Sequence, residues 1–192
     1  DNKLMRISLL YVNSNWGVSL KDEFLAHYGL LGGKVLVTEQ CKEGDRDFRT
    51  HLSKLMVRDV DALVGLTPPK EGGPFVRQAR ELNIKVPIFG GDFWGTPEFL
   101  ESAGSAANGV FFTFPTSPRG SKYESFVAKF RSKYGKDPDI YASYAYDLIH
   151  IVADALRSGA RSGDQIKQFL RDMQRYDGVT GPTKFDEHGD VV

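Results

Sequence analysis

Apolar and polar positions switch between two periods along the first 116 residues. Met5 to Val12 is a short, nearly continuous apolar run of the kind a strand buried on both faces requires. Asn13-Ser14-Asn15-Trp16-Gly17 breaks it with turn formers. Leu20, Phe24, Tyr28 and Leu31 then recur at helical spacing, with Gly32-Gly33 as the stop. Lys34 to Thr38 reads as a second strand. Asp47 is placed to cap a helix carrying Phe48, Leu52, Leu55 and Met56, and Asp61 to Leu66 gives a third strand. Phe75, Val76, Ala79 and Leu82 form the next stripe, before a fourth strand over Val86 to Phe89. Thr96 can cap a short helix through Leu100 with Pro97 at its first position, and Gly109 to Phe114 makes a fifth strand. Strands separated by single helices need right-handed crossovers. The predicted fold class is therefore α/β, a five-stranded parallel sheet with helices on both faces.

After Pro115 the pattern is helical almost throughout. Tyr123, Phe126, Val127, Phe130 and Tyr134 mark one amphipathic helix, ended by Gly135-Lys136-Asp137-Pro138. Tyr141, Tyr144, Ala145, Leu148, Val152, Ala155 and Leu156 mark a longer one, ended by Gly159. A third starts at Ser162 or Asp164 and carries Ile166, Phe169, Leu170 and Met173. The turn-rich end, from Gly178 to Phe185, has room for one short strand. Two domains are predicted, 1–116 as the complete α/β unit and 117–192 as an incomplete, mostly helical one. Its apolar stripes need something else to cover them.

Composition narrows the function classes. With 25 basic and 25 acidic side chains among 192 residues the formal charge is zero, and no basic run exists. That gives no electrostatic footprint for nucleic acid or an anionic membrane. No apolar run approaches bilayer length. The single cysteine, Cys41, excludes an internal disulfide and leaves the redox compartment open. The chain starts at Asp1-Asn2-Lys3 with neither Met nor leader, as a mature or trimmed chain would.

Enzyme signatures are missing. His27, His51, His150 and His188 are never within four residues of one another, so no zinc-ligand spacing occurs, and there is no G-x-S-x-G elbow. Gly32-Gly33-Lys34 looks like the end of a phosphate loop, but Val35 stands where Ser or Thr is required and a strand follows. No dinucleotide fingerprint follows the first strand. No catalytic residue, metal site or cofactor is expected. In an open parallel sheet, ligands bind beyond the carboxyl ends of the strands. The loops there are Asn13 to Gly17, Thr67 to Gly73 and Gly90 to Gly95. Trp16, Asp92 and Trp94 in them suit a ligand with an ammonium group and an apolar part, the glycines permitting close approach. Asp92 could equally cap the following turn, and the tryptophans could pack beneath their loops.

Five stretches, in order across nearly the whole chain, carry a family resemblance. They are Arg6 to Leu10 running to Trp16-Gly17, Gly44 to Phe48, Val76 to Arg80, Phe130 to Pro138 with Tyr141 to Leu156 behind it, and Gly181 to Asp190. The chain resembles the type I periplasmic binding proteins of ABC transporters, in particular the branched-chain amino-acid (Leu/Ile/Val) receptors. The resemblance implies two lobes closing on a ligand, with 1–116 as the second lobe and the remainder returning to the first, whose sheet would lie outside these residues. It implies an extracytoplasmic solute-binding component of amino-acid transport, periplasmic or extracellular or lipid-anchored, with the signal sequence outside this chain. A membrane ABC permease would be its partner. Trp16 matches the aromatic that contacts ligand in the amino-acid-binding relatives, and Asp92 matches the carboxylate that holds the ligand ammonium. Thr67-Pro68-Pro69 stands where those relatives carry a tyrosine, so the side-chain pocket differs. The rival readings are a sensor domain of a signalling receptor or regulatory subunit, with Tyr123, Phe126, Phe130, Tyr144 and Leu148 as a protein interface, and a homo-oligomer or domain swap covering the incomplete lobe.

Overall fold

A computed structural model describes residues 4–114 and 119–191. The chain divides into two compact units, Asp1–Phe114 and Pro115–Val192. The boundary expected at 116/117 falls among residues 115–118, outside the described residues.

In the first unit the strands are β1 (Arg6–Val12), β2 (Lys34–Cys41), β3 (Ala62–Leu66), β4 (Ile88–Gly90) and β5 (Val110–Phe112). They form one sheet in the order β2-β1-β3-β4-β5, every neighbouring pair parallel. Helices α1 (Asn15–Leu30), α2 (Arg49–Leu55), α3 (Pro69–Glu81) and α4 (Pro97–Ala103) make the crossovers. The path moves one way from β1 to β2 and the other way from β2 onward. Right-handed connections therefore put α1 on one face and α2, α3 and α4 on the other.

The packing follows that division. Leu10, Val12 and Leu63 meet Phe48, Leu52, Phe75, Val76 and Phe99 under α2, α3 and α4. On the opposite face Ile7, Leu9, Ala62 and Val64 pack with Leu20, Phe24 and Tyr28 of α1 and with Leu4, Val35 and Phe89. Beside α1 this thinner cover leaves an apolar cavity of about 460 Å³, between Leu20 and Phe24 and the ring pair Phe89–Phe111.

Some local expectations shift. Leu31 lies beyond the end of α1 and is 80% exposed, so the apolar stripe of that helix stops at Tyr28. Phe48, not Asp47, occupies the cap position of α2, its amide bonded to Gln78 Oε1 at 2.6 Å. Asp47 still accepts the Arg49 amide at 3.1 Å. Thr96 caps α4 through the Phe99 amide, with Pro97 at the first position.

The second unit contains α5 (Ser121–Tyr134), α6 (Ile140–Arg157) and α7 (Gly163–Asp172), then β6 (Tyr176–Gly178) and β7 (Gly181–Thr183) paired antiparallel. The single terminal strand expected is thus a two-stranded hairpin. Asp147 of α6 holds its turn. Its buried carboxylate accepts the Val179 and Thr180 amides, each at 2.8 Å, and the Thr180 hydroxyl at 2.5 Å. Phe126 is buried against Tyr146, so it is internal to the unit and not part of an exposed stripe. Tyr144 and Leu148 are exposed.

Candidate ligand-binding edge

The strand order reverses between β1 and β3, and the crevice of an open sheet lies beyond the carboxyl ends at such a switch point. Three loops of the first unit reach that edge.

After β1, the Asn13 amide bonds the Cys41 carbonyl at 2.8 Å, and the Ser14 hydroxyl caps α1 by accepting the Gly17 amide at 3.2 Å. Trp16 is therefore fixed in the first turn of α1, half-buried against the core. Gly17 packs so tightly on the Val12 carbonyl that a side chain has no room there. After β3, Thr67 is buried and its carbonyl accepts the Trp94 indole N–H at 2.9 Å. Its Oγ1 has no hydrogen-bond partner among the described residues. Pro68 caps α3 and is half-buried, and Pro69 begins the helix, where no amide hydrogen is needed. After β4, Asp92–Gly95 form a single 3₁₀ turn. Asp92 and Phe93 are half-buried there, while Trp94 is completely buried.

Trp94, expected at the ligand-facing edge, is instead packed as a core residue of this unit. Its ring stacks on Phe99 with centroids 4.8 Å apart and planes 11° from parallel. It lies over a notch made by Gly65 and Gly90, register partners on β3 and β4, with Gly72 of α3 at its indole nitrogen. A Cβ on Gly65 would stand 2.6 Å from Trp94 Cη2 and Cζ2. The glycines at positions 65, 72 and 90 thus make room for a side chain of the protein itself. The Thr67 side chain is likewise buried, and its carbonyl is engaged by Trp94.

Trp16, Pro68 and Asp92 remain partly open at the edge. Phe93, which the sequence reading passed over, joins them. Its ring meets Trp16 with centroids 5.4 Å apart and planes tilted by 56°, tying the loop after β4 to the loop after β1. The clue was its place beside Asp92, but Phe93-Trp94 reads as one apolar pair until the second of the two is seen to be internal. Asp92 also lines the end of the apolar cavity beside α1.

The Cys41 thiol, at the end of β2, is buried, and burial together with the Asp45 and Glu71 carboxylates pushes its pKa up to about 12. It is no nucleophile at neutral pH. Among the described residues no group of three or more His, Cys, Asp or Glu could hold a metal ion. No described helix is long and apolar enough to cross a membrane.

The profile of a family described as periplasmic binding protein matches residues 2–191. The chain belongs to the periplasmic binding protein family. A Leu/Ile/Val-binding protein homolog of Brucella abortus is 28% identical over 189 residues, covering 96% of this chain and 50% of the relative. The solved leucine-binding protein LivK of Thermotoga maritima superposes with a TM-score of 0.87 at 28% identity, covering 98% of this chain and 55% of its own. The branched-chain amino-acid transporter substrate-binding protein LivJ of Streptococcus pneumoniae, solved with isoleucine, gives 0.82 at 32% identity, covering 100% and 56%. The chain therefore spans about half the length of the relatives it matches.

Proposed function

We propose that this chain supplies one ligand-binding lobe, and part of a second, of the extracytoplasmic solute-binding component of an ABC transporter for amino acids. The observation that carries the reading is the crevice at the β1/β3 switch point, where Trp16, Pro68 and Asp92 stand at the edge of a sheet of this family's fold. A ligand ammonium on the Asp92 carboxylate makes a charge-assisted hydrogen bond with a net contribution of about 1.5–3 kcal/mol. Trp16 and Pro68 cover its apolar part. Contacts on a second lobe then shift an open–closed equilibrium toward the closed form, which a membrane permease recognises. The names of the relatives, Leu/Ile/Val-binding and leucine-binding, support an amino acid as the ligand class.

Thermal melting against a ligand panel tests this. L-amino acids are compared with their 2-oxo acids, which keep the carboxylate and lose the ammonium. At ten times its dissociation constant a ligand stabilises by about 1.4 kcal/mol, a rise of roughly 5 °C for a unit of this size. The expected pattern is a rise with amino acids only, abolished by Asp92→Asn. A rise with the oxo acids would overturn the role given to Asp92.

A further inference from the structure

We propose that Asn108 is a site of spontaneous covalent modification, where the Gly109 amide nitrogen attacks the Asn108 carboxamide and converts the asparagine to isoaspartate at the start of β5. The inference stands apart from the amino-acid reading and does not depend on it. The chain holds five asparagines, and only Asn108 precedes a glycine. Glycine matters because the attacking nitrogen must swing onto the side chain of the residue before it. Without a Cβ, Gly109 neither blocks that approach nor restricts the backbone rotation it needs.

The fold leaves the pair open. A 3₁₀ turn over Gly104–Ala107 ends at Asn108, whose amide donates to the Ser105 carbonyl at 3.2 Å, and Gly109 follows with φ at +74°. Both residues are exposed, and a Cβ placed on Gly109 would meet nothing within 4 Å. Among the described residues neither the Asn108 carboxamide nor the Gly109 amide is held by a hydrogen bond. The other asparagines differ. Asn13 is tied by its amide to Cys41, and Asn15 lies within α1. Asn83 precedes β-branched Ile84, and its carboxamide oxygen accepts Lys85 Nζ at 3.1 Å. Asn2 lies outside the described residues.

In the first step a bond forms between the Gly109 nitrogen and Asn108 Cγ. The amide proton passes to solvent base, and the bond from Cγ to the carboxamide nitrogen breaks with release of ammonia, leaving a five-membered succinimide. Water then adds to one of its two carbonyls. Opening at Cγ gives aspartate, and opening at the backbone carbonyl gives isoaspartate. In isoaspartate the chain runs through Cβ and Cγ, one backbone atom longer than before. That atom is inserted between Ala107 and Val110, both packed against the core, and a carboxylate replaces a neutral amide. Val110 opens β5 opposite Ile88 of β4, so the extra atom strains the register of the edge strand at the end away from the crevice.

The whole chain is incubated in mildly alkaline buffer, folded and in urea in parallel. The tryptic peptide 86–119 is then followed by mass spectrometry, with electron-transfer fragmentation to tell isoaspartate from aspartate. Expected in the folded chain is conversion at Asn108 at least ~10-fold faster than at Asn13 or Asn83, and within ~10-fold of its own rate in urea. The melting midpoint of the first unit should fall as isoaspartate accumulates. Asn108→Gln, whose longer side chain cannot close a five-membered ring, should keep its midpoint through the same incubation. An Asn108 that reacts in urea yet survives in the folded chain would overturn the proposal, as would equal conversion at Asn13. A midpoint that falls as far in Asn108→Gln would trace the loss to another position and refute the consequence drawn for β5.

Discussion

Replacing Gly65 by Ala should destabilise the first unit, although alanine is ordinarily preferred to glycine in a strand by roughly 0.5–1 kcal/mol. The new methyl would lie 2.6 Å from Trp94 Cη2 and Cζ2 and 3.4 Å from Phe75 Cε1. Trp94 cannot retreat, because Phe99 stacks on it and Thr67 holds its N–H. Overpacking of this kind costs about 1–3 kcal/mol. Trp94→Phe removes the part of the indole that the methyl meets. On its own it costs about 2 kcal/mol, from a small cavity and an orphaned Thr67 carbonyl. In the double variant the methyl fills the vacated space, so the two losses should fall short of additivity by about 1–2 kcal/mol. Urea unfolding followed by far-UV circular dichroism, with tryptophan emission reporting the first unit, which holds both Trp16 and Trp94, measures all four corners of the cycle. Losses that add within about 0.5 kcal/mol would refute the notch as the reason for glycine at position 65.

Two further outcomes are expected. Asp147→Ala should cost the second unit at least about 3 kcal/mol, since three hydrogen bonds to a buried carboxylate disappear together; hydrogen exchange at the Val179 and Thr180 amides should accelerate first, and unchanged protection there would show that the hairpin turn holds itself. With its thiol pKa pushed up to about 12, Cys41 should resist a disulfide reagent in the folded chain at pH 8 and react fully in denaturant, whereas rapid native labelling would contradict its burial.

The sheet is legible because its strands are short apolar runs between helical stripes, a pattern that burial on both faces imposes. The fate of Trp94 is not. A tryptophan among glycines in a loop reads as an open, ligand-facing group, and only the register pairing of Gly65 with Gly90 shows that the glycines accommodate the ring. Phe93 was hidden for the complementary reason, since its partner Trp16 lies on another loop and no local period links them. The hairpin of β6 and β7 escaped because Tyr176-Asp177-Gly178 has no apolar alternation. Its turn depends on Asp147, a carboxylate on a distant helix whose own pattern gives no sign of a buried charge. The place of Asp92 beyond a strand end is legible by a rule that needs topology but no side-chain detail.

The strand order also sets a timetable. Once β1 and β2 have paired, β3 docks on the free side of β1, and β4 and β5 then add outward in the order in which they are synthesised. Each strand can thus find its neighbour already in place, so the sheet can assemble while the chain is still being made. The crevice cannot. Trp16 is made with the first strand of the unit, but Phe93 meets it only after β4 has joined, so this edge is completed late in a unit whose scaffold is already half built.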